Sequence, residues 1–177
     1  CKILEERGIT PPDIALAGGF AREDHVFKAL ALGAPYTRLV CMGRAPMIPG
    51  FLGSNIEGVF KPERRAELAG HWEKLPSTVN GLGNKPEEIF AGWESVREKV
   101  GDNEMQNIPF GAVAMYGYAD KLSCGLQQFM AGALMFSIDQ LQRSDLLSAN
   151  RETEDVTGIP FMTDAQNDQA LAILREE

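Results

Sequence analysis

Apolar positions gather first in two short runs, residues 14–17 (IALA) and 36–42 (YTRLVCM), each followed by a glycine-bearing turn. Between them, HVFKALALG sets Val26 or Phe27, Leu30 and Ala31 on one face at helical spacing, with acidic Glu23 and Asp24 at its start and Gly33 at its stop. The runs are short, apolar and glycine-bounded, and the second carries β-branched and aromatic residues, so both read as buried strands. A strand, a helix of about three turns and a second strand make one crossover unit, right-handed with parallel strands.

Upstream, residues 2–7 read as the end of a helix that Gly8 stops, and Pro11-Pro12 keeps the linker from continuing it. Downstream, APMIPGFLGSNIEGVF is rich in Gly and Pro and predicts a loop or short broken helix. Residues 62–75 predict a helix with Pro62 in its first turn and Leu68, Trp72 and Leu75 at apolar positions. PSTVNGLG is a turn-rich linker, and Pro86 opens a second helix with Ile89, Phe90, Trp93 and Val96 near one face, ending at Gly101. Residues 102–118 read as irregular. Residues 121–136 predict a longer helix whose Gly125, Ala131, Gly132 and Ala133 suit close packing, and short helical segments at 143–157 and 165–175 complete a mainly helical second half.

Composition narrows the function classes. With 44% apolar and 24% charged residues in a chain of 177, a folded domain with a sizeable core is expected. A net charge of −8 and no basic block argue against a nucleic-acid partner. No apolar run approaches the ~20 residues of a membrane span. Three scattered cysteines, Cys1, Cys41 and Cys124, support neither a disulfide framework nor a metal site, which fits a reducing cytoplasmic setting. Cys41 and Cys124 read as inert core thiols.

The glycine turns carry the chemistry. Gly18-Gly19 and Gly43-Arg44 fall at the C-terminal ends of neighbouring parallel strands, where α/β folds gather ligands. Glycines there let backbone N–H groups approach an anion, and Arg44 adds positive charge, so the pattern predicts a phosphate site. GGFAR does not match the dinucleotide fingerprint GxGxxG, and the second strand ends in a glycine-arginine turn where that fold carries an acid.

GGFAREDHVFKALALGA, followed by a strand and MGRA, resembles the last β–α–β unit of the FMN-dependent (β/α)8 barrels, a group that includes glutamate synthases and 2-hydroxy-acid oxidases. MIPGFLG, the GLQQFMAGA helix and TGIPF are more similar to the FMN-binding glutamate synthase domain family in particular. The resemblance implies a TIM (β/α)8 barrel whose last units are residues 1–57, followed by a mainly helical extension over residues 58–177. It implies that Gly18, Gly19, Gly43 and Arg44 bind the FMN phosphate, in an oxidoreductase that forms glutamate from 2-oxoglutarate and glutamine-derived ammonia. The chain departs from the family pattern at Ala17, where many relatives carry an acidic or hydroxyl residue, and in lacking the closely spaced cysteines of an iron–sulfur cluster.

A complete barrel needs eight strands, so the chain is expected to be the C-terminal fragment of a larger enzyme, inactive alone and partnered by the upstream part of the same polypeptide, where most catalytic residues are expected. Two other readings stand beside this one. In the first, the barrel part is degenerate and residues 58–177 form a scaffold or homo-oligomerisation module, motivated by the small-residue helix. In the second, FMN is kept and the small-molecule substrate is a 2-hydroxy acid, with Arg22 and His25 as the available side chains. His25, His71, Gln127 and Gln128 otherwise read as surface or packing residues, Glu87 and Glu88 as a helix-start charge pattern, and the tryptophans as core.

Overall fold

The computed structural model describes residues 1–175 and is a mixed α/β structure: a two-stranded parallel sheet and helices. The chain divides into two compact units, one made of Cys1–Gly18, Asp24–Cys41 and the chain from Leu126 onward, the other of Gly19–Glu23 and Met42–Gly125.

In the first unit, helix α1 (Lys2–Glu6) ends just before Gly8, whose φ of 71° belongs to the left-handed region that glycine tolerates. Strands β1 (Ile14–Ala17) and β2 (Thr37–Cys41) pair in parallel with Leu16 opposite Val40 and Ala17 opposite Cys41, and helix α2 (Glu23–Gly33) connects them. The expected strand–helix–strand unit is therefore present. The core sets Phe27 and Leu30 of α2 against Met130 and Leu141, with Val40 of β2 packed alongside. Successive strand residues point to opposite faces, so Leu39 turns away from the face Val40 presents and is 62% exposed. The expectation of two buried strands is corrected on this point: the ribbon is half-exposed. Among the described residues the sheet stops at two strands, so a closed (β/α)8 barrel is not formed; after β2 the chain enters helices, with one isolated bridge between Ser148 and Phe161.

Helix α9 (Arg151–Thr157) follows two 3₁₀ turns; the Asn150 side chain accepts the Thr153 N–H at 2.8 Å at its start, and Gly158, left-handed, ends it. Arg151 pairs with Glu154 and with Asp164 of helix α10 (Met162–Arg175), tying the two helices.

The second unit is built on a helix that composition did not announce. Helix α3 (Arg44–Phe60) runs unbroken for 17 residues where a loop or short broken helix was expected. Its glycines are contact points. A Cβ on Gly53 would lie 2.5 Å from the Phe110 carbonyl oxygen, and one on Gly111 would lie 2.7 Å from the Gly50 carbonyl oxygen, so two backbones meet here with no room for side chains. The partner is helix α8 (Phe110–Gly132), 23 residues long, whose residues to Gly125 belong to this unit. It begins well before residue 121, inside the stretch expected to be irregular.

Short helices α4 (Ser77–Asn80), α5 (Pro86–Ile89), α6 (Trp93–Val100) and α7 (Asp102–Met105) fill the interval. The helix expected over 62–75 is a 3₁₀ turn, Pro62–Glu67, that Leu68 ends in extended geometry. The helix expected from Pro86 to Gly101 is split at Phe90, whose extended backbone sends its ring into the core. That core holds Ile56, Phe90, Val96, Met105, Phe110 and Val113, with the Trp93 ring edge-on to Phe110 at 5.2 Å. Trp72 packs against the same cluster, as expected of a core tryptophan.

Candidate site at the glycine turns

Because β1 and β2 are parallel and Ala17 is the register partner of Cys41, the chain leaves both strands in the same direction. Gly18 and Gly19 follow β1 directly, with φ values of 131° and 69° that few other residues adopt. Both are exposed, and a Cβ built on either would meet no atom within 4 Å. The backbone there is open. The sequence signal for this turn, a glycine pair after an apolar run, therefore corresponds to a real conformational need.

After β2, Gly43 is the N-cap of α3 and Arg44 its first residue. The cap makes no side-chain hydrogen bond, and the first turn holds no acid. The opening N–H groups of a helix have no intrahelical partners and carry the positive end of its dipole. Pro46 removes one of them, leaving the N–H groups of Gly43, Arg44 and Ala45. A Cβ on Gly43 would again meet nothing within 4 Å. Arg44 is exposed, and its guanidinium makes no ion pair among the described residues. Free N–H donors, an unpaired cation, no acid in the first turn of α3 and open space above the glycines form a donor set that fits a phosphate group.

One side chain touches both turns. The Tyr118 hydroxyl on α8 donates to the Ala21 carbonyl at 2.8 Å and lies 3.8 Å from the Met42 sulfur. Burial, reinforced by the charge of Glu23, pushes its phenol above the ordinary range, which keeps the proton on the donor. Glu23, at the start of α2, packs against Gly125 of α8, where an added Cβ would come within 2.6 Å of its Cγ. Its Oε2 atom is buried and has no hydrogen-bond partner among the described residues. Nothing in the sequence marks Tyr118, which stands 97 positions from Ala21.

Comparison with protein-family models, with curated proteins and with solved structures returns no match. The chemistry therefore rests on the chain's own residues. Among the described residues no trio of His, Cys, Asp or Glu is arranged to hold a metal ion, and no helix is long and apolar enough to cross a membrane.

The remaining candidates separate from the turns. Cys41 and Cys124, expected in the core, are both exposed: Cys41 closes the half-exposed ribbon and Cys124 sits on an outer face of α8. Gln127 and Gln128 are on the helix surface, as expected, and Glu88 accepts the Asn84 N–H at 2.8 Å beside the start of α5. An open cleft of about 880 Å³ lined by Phe60, Lys61, Arg64, Trp93, Arg97 and Phe110 shares no residue with the glycine turns. Its cations are already matched: Lys61 and Arg64 by the buried Glu57, Arg97 by Glu94 and Asp102.

Proposed function

We propose that the chain supplies the phosphate-binding turns of an FMN-dependent oxidoreductase of the glutamate synthase kind, the two strands belonging to a larger (β/α)8 barrel. The observation that carries this reading is the pairing of an open Gly18-Gly19 turn after β1 with an uncapped, acid-free helix start at Gly43 and Arg44 after β2. In this reading the backbone N–H groups at Gly19 and at the start of α3 receive the phosphate oxygens, Gly18 gives the turn its shape, and Arg44 adds the charge. Bound FMN would supply the redox chemistry, and this chain's residues would hold and orient it. Glutamate formation from 2-oxoglutarate and glutamine-derived ammonia, and a cytoplasmic setting, belong to the same proposal and draw on the sequence resemblance.

Two flavins that differ by a phosphate test the reading. Titrating the protein with FMN and with riboflavin, followed by flavin fluorescence, is expected to show FMN bound at least tenfold more tightly. Gly43→Val, at negative φ with open space above it, is expected to leave the melting temperature unchanged and remove the preference. Arg44→Glu should do the same by reversing the charge. Equal affinity for the two flavins, or none for either, rejects the proposal.

A second reading, an interaction module, is favoured by one observation. Met47, Ile48, Phe51 and Leu52 form an exposed apolar strip along α3, and surfaces of this kind mark association sites. The small-residue stretch that first suggested this reading is in part already occupied, since Glu23 covers Gly125. Light scattering across a concentration series decides whether the chain self-associates.

A further inference from the structure

We infer that Tyr118 is a positioning residue that clasps the turn after β1 and the turn after β2 together, so that their N–H groups face one anion rather than moving independently. The inference rests on the phosphate reading above and names the device that organises that site. Three observations in the second unit carry it. The Tyr118 hydroxyl donates to the carbonyl of Ala21, two residues past Gly19, at 2.8 Å. The same oxygen lies 3.8 Å from the Met42 sulfur, one residue before Gly43. On the same helix, seven positions on, Gly125 leaves the space that Glu23 fills. Residues seven apart lie on one helix face, so a single face of α8 supports the segment from Ala21 to Glu23 at two points and reaches the second turn from one of them.

The chemistry suits a clasp. Both glycines of the first turn have positive φ and no neighbour within 4 Å of a built Cβ, so the turn is not held by packing at its own residues. Two residues past Gly19, the Ala21 carbonyl is held by the Tyr118 hydroxyl. A tyrosine hydroxyl offers one donor and two acceptor positions; here the donor is committed to Ala21, and the soft thioether of Met42 lies against the oxygen. Removing the hydroxyl leaves the ring in place and takes away the one side-chain group that reaches both Ala21 and Met42, without opening a cavity.

Tyr118→Phe tests this. Under the clasp, the variant binds FMN about five- to tenfold more weakly, the range one hydrogen bond supplies, while its affinity for riboflavin stays unchanged. In hydrogen exchange, the amides of residues 19–23 and 42–44 lose protection together. Gly125→Ala, which pushes Glu23 aside, is expected to reproduce the loss of phosphate preference with the tyrosine intact. If the wild-type protein shows the FMN preference and Tyr118→Phe keeps it, the clasp is overturned and the phosphate reading stands. If both flavins weaken alike, or only the first turn loses protection, Tyr118 is an ordinary packing residue and the clasp is overturned. If the wild-type protein shows no FMN preference, the phosphate reading falls and the clasp with it.

Discussion

The carboxylate of Glu57, fully buried on α3, accepts the backbone N–H of Phe110 at 2.9 Å, 53 positions further along the chain. Phe110 opens α8, where N–H groups lack intrahelical partners, so one helix caps the next. The other carboxylate oxygen meets Arg64 at 2.5 Å and Lys61 at 3.4 Å, which accounts for a charge at this depth. Glu57→Ala removes the cap and leaves both cations without their buried partner, and should cost about 3–5 kcal/mol. Glu57→Gln keeps an oxygen for Phe110 and should cost about 2 kcal/mol. Urea denaturation of both variants measures the difference; equal costs would mean that the cap contributes nothing.

The α3–α8 crossing makes a contrasting pair of glycine predictions. Gly53→Ala places a methyl 2.5 Å from the Phe110 carbonyl and 2.7 Å from Gly111 Cα, both backbone, and should destabilise by about 1–3 kcal/mol. Gly132→Ala, at the end of α8 with nothing within 4 Å, should stabilise by about 0.4–1 kcal/mol. Thermal melts should move in opposite directions, by about 2–4 °C per kcal/mol.

Tyr118 also sets an alkaline limit. Burial and the neighbouring charge of Glu23 raise its phenol above the ordinary 10.0, so the folded state holds the proton more tightly than the unfolded chain. The resulting stability is complete below pH about 10 and falls as pH rises through the raised value. Tyr36, hydrogen-bonded to Glu5, is shifted the same way, so the share of Tyr118 is the difference between the wild-type protein and Tyr118→Phe. Stability measured from pH 8 to 11 should decline less steeply in Tyr118→Phe than in the wild-type protein.

All three cysteines are exposed and unpaired. A thiol reagent added to the native protein without denaturant should modify three equivalents in one fast phase, with no change after reduction. A slow phase seen only on unfolding would place Cys41 or Cys124 in an interior.

The legible part of the fold was the part written in local signals. β1, α2 and β2 are each bounded by residues whose backbone preferences force a boundary: Gly8 and the two prolines before the first strand, Gly18-Gly19 after it, and the acidic start of α2. The candidate glycines and Arg44 stood out for the same reason, since they sit at those boundaries. The unreadable part was non-local. Gly50 and Gly53 look like helix breakers until Gly111 and Phe110, about 60 residues away, supply the backbone they press against. Phe90 breaks a periodic helix where its ring packs on Phe110 and Trp93. Glu57 and Tyr118 carry no motif at all, because their partners are fixed only by packing.

The order of the two units along the chain has a consequence for synthesis. Nearly all of the second unit lies in one continuous stretch, Met42–Gly125, and can be completed as soon as that stretch leaves the ribosome. The first unit is spliced from distant pieces: Phe27 and Leu30 must wait for Met130 and Leu141, about a hundred residues later, before their apolar face is covered. At roughly 5–20 residues per second, α2 and its two short strands spend about 5–20 seconds as an uncovered sticky surface. That interval makes residues 14–41, rather than the helical stretch that follows, the segment most in need of a chaperone.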